Sequence, residues 1–226
     1  MRIFAALTLL ACVACGTGEP TALSAQAASD SAFVAAVRAR LEAATEAGEF
    51  SGAVLIARDG RTLFEGAWGL ADRERGIPNT LHTQFRVGSM NKMVTAVAAL
   101  QLVQGGTLRL DAPLGTYLPD YPNADVASKV TPHHLLTHTG GTGDIFGPQF
   151  TANRTALRTT ADYLQLYGTR GLQFEPGERH VYSNYGFLLL GALIERVSGR
   201  SYYEHVAARV HTPAGMTATG SAPEDS

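Results

Sequence analysis

Ser89-Met90-Asn91-Lys92 places a hydroxyl and an amine three residues apart where an apolar run with helical spacing begins, GSMNKMVTAVAALQLVQGG over residues 88–106. Three residues is nearly one helical turn, so the two side chains share a face and the amine can reach the hydroxyl. A general base of this kind has to be lysine, because arginine does not lose its proton in proteins. The chain carries sixteen arginines and only two lysines, Lys92 and Lys129, and one of the two stands here. The amino end of the helix adds unpaired backbone N–H groups and the positive end of its dipole, both suited to a developing oxyanion. Eleven serines and two lysines among 226 positions predict about 0.1 Ser-x-x-Lys match by chance, so the pair points to a nucleophile and its base without establishing them. The competing reading is structural: Ser89 caps the helix and Lys92 is a solvated first-turn residue.

A proton relay needs a further member, and Tyr-x-Asn occurs twice, as Tyr121-Pro122-Asn123 and Tyr182-Ser183-Asn184. Tyr121 sits among prolines in what reads as a surface turn. Tyr182 ends a loop containing Gly and Pro, GLQFEPGERHVYSN, and directly precedes a strongly apolar helical pattern, which makes it the better candidate. His133, His134 and His138 invite a test as metal ligands, since His134 and His138 are four apart and suit one helical face. No carboxylate follows in a zinc-hydrolase arrangement, so a structural role is favoured and no metal is assigned. Trp68 and Tyr202-Tyr203 read as packing residues, and the charged ADRERGIP stretch at 71–78 as a solvated turn.

These side chains need elements to position them. Ser29-Asp30 suits the cap of a helix in which Phe33, Val34, Val37 and Leu41 recur at helical spacing, ending near Gly48. Residues 51–70 read as an antiparallel hairpin around Asp59-Gly60, a pair that tolerates positive φ in a tight turn. A helix from Met90 to Gln104 stops at Gly105-Gly106, and Thr131-Pro132 opens a short helix over HHLLTH. Further helices are expected at 161–167 and 185–197, the latter closed by Ser198-Gly199, and a capping box at Ser201 and Glu204 opens one more. A lone hairpin is marginal in water, so its sheet needs partners that the pattern does not reveal.

With 226 residues, 45% hydrophobic and a formal net charge of -2, the chain can bury a core and has neither the composition of a disordered segment nor the basic character of a nucleic-acid binder. No run reaches the roughly 18 apolar residues of a membrane span. The N-terminus resembles an export signal: Met1-Arg2, an apolar run from Ile3 to Ala14, then Ala25-Gln26-Ala27 suited to signal peptidase. The expected boundary is therefore 1–27 for the signal and 28–226 for the rest. Cys12 and Cys15 each follow a partial lipoprotein box, so the signal can instead end at either, with a lipid anchor to a membrane. A cut after Ala27 leaves no cysteine, which excludes disulfides, thiolate catalysis and cysteine-based zinc sites. Either way the protein is expected outside the cytoplasm, periplasmic, secreted or lipid-anchored; a cytosolic protein with an apolar N-terminal helix fits the pattern less well.

Four stretches, FRVGSMNKMVTAVAALQLVQGGTLRLDAPLGTYLP, TPHHLLTHTGG, FEPGERHVYSNYGFLLLGALIERVSGRSYYEHV and TPAGMTATG, together resemble the serine beta-lactamase and penicillin-binding-protein superfamily, nearest its class C beta-lactamase, esterase and D-Ala-D-Ala carboxypeptidase branch. The resemblance runs from about Phe50 to the end. It implies an α+β fold of the beta-lactamase/transpeptidase type, an antiparallel sheet with a helical subdomain. It implies an exported serine hydrolase working through an acyl-enzyme on an ester, a beta-lactam or a D-amino-acid peptide, with a small-molecule or peptidoglycan-type substrate and no cofactor. Ser89 becomes the nucleophile, Lys92 its base, Tyr182 the proton shuttle and Asn184 a substrate-binding residue. One oxyanion donor would be the Ser89 N–H; the other comes, in that family, from a strand with Lys-Thr-Gly or His-x-Gly. His138-Thr139-Gly140 has those letters but precedes Tyr182 and belongs to the HLLTHTGG stretch, so it reads as a decoy, and His211-Thr212-Pro213 lacks the glycine. The family's C-terminal strands are expected beyond Ser226, which makes this chain a C-terminally shortened hydrolase. The alternative is a non-catalytic exported protein that binds cell-wall fragments or a partner.

Overall fold

The computed structural model describes residues 22–221, with side chains from residue 26 onward. Cys12, Cys15 and the cationic N-terminus lie outside them, and the expected cut after Ala27 falls within the first helix. The chain divides into two compact units at Thr83/Gln84.

The first unit starts with α1, Ala22–Glu46. Its alanine-rich beginning extends the helix ahead of the expected Ser29-Asp30 cap, because alanine is the strongest helix former. Asp30 is consequently a buried mid-helix carboxylate, which accepts the Gln26 amide at 2.8 Å and pairs with Arg58 and Arg61. The Gln26 hydrogen bond and the two guanidinium groups hold this carboxyl below its ordinary range, against the opposing effect of burial. Strands β1, Gly52–Arg58, and β2, Arg61–Trp68, pair antiparallel with Gly52 opposite Trp68 and Arg58 opposite Arg61. Asp59 and Gly60 take φ of 50° and 74°, the positive pair that matches a two-residue turn to the strand twist. Trp68 stacks on Phe64 with ring centroids 5.7 Å apart, a packing role as expected. The charged 71–78 stretch is more than a turn. Strands β3, Leu70–Asp72, and β4, Ile77–Pro78, flank it as a second small hairpin.

The second unit is helical, and the α+β mixture follows from the two together. Helix α2, Asn91–Gln104, is preceded by a 3-10 turn at Gly88–Met90. Short helices follow: α3, Ala124–Lys129; α4, Pro132–Leu136; α5, Pro148–Asn153; and α6, Thr160–Tyr167. Then come α7, Asn184–Ser198, and α8, Tyr202–Val206. The Thr131 and Ser201 capping boxes are both formed, and Gly199 closes α7 in the left-handed conformation. Helix α7 is the hub: α2, α4, α6 and α8 all pack on it. Leu189, Leu190, Leu193 and Ile194 are fully buried, and burial of each such side chain stabilises by about 1.5–3 kcal/mol. Small residues on α2, Ala98 and Ala99, are also fully buried, as close helix approach requires.

Tyr121 departs from the surface turn expected for it. Pro119 and Pro122 do turn the chain, but the ring points inward, and its buried hydroxyl lies 2.9 Å from that of Tyr185. Burial raises both phenols above the ordinary tyrosine range.

Candidate active site

Ser89 lies in the 3-10 turn that feeds α2, immediately after Gly88, whose φ is 52°. Neither the turn nor α2 has a side-chain cap, so the Ser89 hydroxyl is not spent on the helix. It is exposed and receives two other groups. Lys92 Nζ donates to Ser89 Oγ at 3.3 Å, and the Tyr182 phenol donates to it at 2.7 Å. Lys92 is half-buried; its amine also donates to Asn184 Oδ1 at 2.7 Å and stands 4.8 Å from the centre of the Tyr182 ring. Lys92 and Tyr182 therefore meet at the Ser89 hydroxyl, and Asn184 joins the group through Lys92.

The electrostatics favour an ionisable phenol. Lys92, then the hydrogen bond with Ser89, holds Tyr182 below the ordinary tyrosine range, although the ring is 44% exposed. Tyr121, by contrast, is buried with its phenol raised, and its hydroxyl is committed to Tyr185 rather than to the Ser89 group.

Why the chain brings Tyr182 here is a matter of the loop before α7. Ser183 is the N-cap of α7: its buried hydroxyl accepts from Gly186 N at 2.8 Å and donates to Gly143 O at 2.5 Å. His138 fastens the same loop. Its Nδ1 accepts the Ser183 N–H at 3.1 Å, its carbonyl accepts the Val181 N–H, and its ring lies 4.6 Å from that of Tyr182. Burial, with the nearby His180 and Lys92, lowers the His138 pKa. It is held with φ of 57°, an unusual value for a residue with a side chain. His138-Thr139-Gly140 thus supplies a positioning residue rather than an oxyanion strand. His134 Nδ1 accepts the Thr131 N–H in the capping box, a structural use, and among the described residues no group of three or more His, Cys, Asp or Glu could hold a metal ion.

Asp144 went unnoticed in the sequence. Its carboxylate accepts Asn184 Nδ2 at 3.1 Å and Asn184 N at 3.0 Å. The available signal was a lone acidic residue, the single one between Asp125 and Asp162, set in the glycine-rich GGTGDIFGP. A cleft of about 380 Å³ opens beside Lys92 and Asn184, walled by Tyr163, Phe187, Leu188 and Tyr202; neither Ser89 nor Tyr182 lines it.

The beta-lactamase family profile matches residues 34–226. The chain belongs to the beta-lactamase family. Among its relatives, Esterase EstB of Burkholderia gladioli is 38% identical over 216 residues, which cover 89% of this chain and 54% of the esterase. A D-aminopeptidase of Gluconobacter oxydans is 32% identical over 194 residues, 79% of this chain and 34% of the relative. Among solved structures, a penicillin-binding protein from Bacillus halodurans superposes with a TM-score of 0.73 at 37% identity, covering 82% of this chain and 58% of the other. This chain therefore spans between 34% and 58% of the length of these three family members. No described helix is long and apolar enough to cross a membrane.

Proposed function

We propose that the protein is a serine hydrolase of the beta-lactamase family that transfers an acyl group to water through an ester on Ser89. The observation that carries the reading is the convergence of Lys92 Nζ and the Tyr182 hydroxyl on Ser89 Oγ, at 3.3 and 2.7 Å. In the first half-reaction Ser89 Oγ attacks the substrate carbonyl carbon while its proton passes to Lys92, acting in its neutral amine form, and from there to Tyr182 as the phenol gives up its own proton. The Ser89 N–H, at the amino end of its turn, is the proposed first donor to the oxyanion. The carbon–oxygen or carbon–nitrogen bond to the leaving group breaks, and Tyr182 delivers the proton that the departing alcohol or amine takes up. In the second half-reaction Tyr182, with Lys92, draws a proton from water, which attacks the acyl carbon; the bond from that carbon to Ser89 Oγ breaks and the proton returns to Oγ. Asn184 holds Lys92 and presents its amide to the substrate. Nothing in these steps calls for a metal or organic cofactor.

The substrate class proposed is an ester, a beta-lactam or a D-amino-acid peptide, small or derived from peptidoglycan, and relatives named for the first and last support that range. The leader-like N-terminus supports a site of action outside the cytoplasm, with cleavage after Ala27 or lipidation at Cys12 or Cys15. A panel of p-nitrophenyl acetate and butyrate, a chromogenic cephalosporin and a D-Ala-D-Ala peptide tests the function. The expected result is turnover of at least one, lost by about 10⁴-fold or more on Ser89→Ala. Turnover that survives Ser89→Ala contradicts the mechanism. Absence of turnover and of covalent labelling favours the non-catalytic binding protein.

A further inference from the structure

We propose that Asp144 is a positioning residue for the site: it fixes which end of the Asn184 amide faces Lys92. Its meaning for catalysis rests on the hydrolase reading above; its effect on Lys92 does not.

An asparagine side chain has a donor end and an acceptor end of nearly the same shape, and only its neighbours decide which way it points. Asn184 stands between Lys92, whose ammonium only donates, and Asp144, whose ionised carboxylate only accepts. Asp144 Oδ2 takes Asn184 Nδ2 at 3.1 Å, so Oδ1 is turned to Lys92 Nζ at 2.7 Å. A flip would set N–H against ammonium and carbonyl against carboxylate at once. The grip is double, because Asp144 Oδ1 also accepts the Asn184 backbone N–H at 3.0 Å, locking the first residue of α7 to the same carboxylate.

Asp144 is itself held. Its Oδ1 accepts the Ile145 N–H at 2.8 Å, and its carbonyl accepts Arg170 Nη1 at 2.7 Å. The Ile145 carbonyl in turn accepts the buried Tyr167 hydroxyl at 3.1 Å. A short glycine-rich loop is thereby tied to the core, and its carboxylate sets the polarity of the chain Asp144, Asn184, Lys92, Ser89. Asp144 makes no hydrogen bond to Lys92 or Ser89 and does not line the cleft that Asn184 lines, which separates its role from that of Asn184.

The chain has only two lysines, Lys92 and Lys129, so each can report on the other. The measurement is the ratio of Lys92 to Lys129 acetylation by a trace of acetic anhydride, read on peptides by mass spectrometry in the full chain. Lys129 is paired with Glu175 at 3.1 Å, away from Asp144, and serves as the reference. Asp144→Ala frees the Asn184 amide to turn, and Lys92 loses its acceptor; the ratio rises by about tenfold, the worth of one hydrogen bond to a charged group. Asn184→Ala raises it equally, and Asp144→Ala adds nothing in the Asn184→Ala background. Asp144→Asn, whose carbonyl still accepts, restores most of the wild-type ratio. An unchanged ratio in Asp144→Ala overturns the proposal, as does an effect that persists without Asn184, which would be charge acting through space.

If Asp144→Ala does not fold, the wild type decides. In [¹⁵N]asparagine-labelled protein the Asn184 Nδ2 protons exchange more slowly than those of exposed asparagines, and exchange at the free rate overturns the proposal. In the same variants, covalent labelling of Ser89 by a fluorophosphonate slows by about 10- to 100-fold in Asp144→Ala and recovers in Asp144→Asn. Wild type that does not label, with the Lys92 pattern intact, defeats the hydrolase reading and leaves the positioning role of Asp144 standing. Unimpaired labelling in Asp144→Ala overturns the catalytic importance of that role.

Discussion

Tyr182 is exposed, yet its phenol is held below the ordinary tyrosine range by Lys92 and then by Ser89. Because an acid with a lowered pKa ionises earlier as pH rises, its phenolate forms at lower pH than that of an ordinary tyrosine. The buried pair Tyr121 and Tyr185 moves the opposite way. Absorbance at the phenolate band during a pH titration checks this: a first rise ahead of the other tyrosines, missing in Tyr182→Phe. A first rise that persists in Tyr182→Phe contradicts the assignment. The same substitution lowers the rate of Ser89 acylation by about 10²- to 10⁴-fold, the usual contribution of a positioned acid–base group. Lys92→Arg is expected to be nearly as damaging as Lys92→Ala, since arginine keeps a charge but cannot take the serine proton.

At the scale of elements, the site is made by the turn that opens α2 and the loop that leads into α7, and Ser183 binds that loop to α7. Its hydroxyl is buried and serves Gly186 N and Gly143 O together. Ser183→Ala removes the cap and strands the Gly143 carbonyl, with an expected loss of about 2 kcal/mol in urea unfolding. A change within a few tenths of a kcal/mol would show that the cap is not a stabilising contact. Much of this level was legible in the sequence, for physical reasons that differ by element. The Asp59-Gly60 turn, the Thr131 and Ser201 capping boxes and the Gly199 stop are local, chosen by residues next to one another, and each is where its letters place it. Helix α3, Ala124–Lys129, was not legible, because it is short and carries only one fully buried apolar residue, Val126. Asp144 escaped because its partner, Asn184, lies forty residues away, and no local pattern records such a pairing. His138-Thr139-Gly140 carries the letters of an oxyanion motif, whereas the use of His138 depends on a ring contact with Tyr182 across the fold.

At the scale of the molecule, burial is uneven. The main apolar cluster is built around α7 in the second unit, whereas in the first unit Phe64 is the one large apolar side chain that is fully enclosed among the described residues. From the 3-10 turn into α2, Met90, Met93, Val97 and Leu100 recur at three- and four-residue spacing, and all are exposed, Met90 at 70% and Met93 at 67%. A stripe of that kind is an unusual amount of contiguous apolar surface to leave in water. The chain is therefore expected to bind the dye ANS in its folded state, and Met93→Lys with Val97→Lys to reduce that fluorescence without lowering the melting temperature. Equal fluorescence in wild type and variant would mean that the stripe is covered in solution. The relatives of this family that extend over nearly twice the residues provide the natural comparison.

The central claim is that Ser89 Oγ is the atom acylated. Incubation with a fluorophosphonate or a penicillin, followed by peptide mass spectrometry, reads it directly. The account predicts one adduct, on the peptide containing Ser89, formed slowly in Lys92→Ala and Tyr182→Phe and not at all in Ser89→Ala. An adduct on a different residue, or labelling that is unchanged in Ser89→Ala, would contradict it.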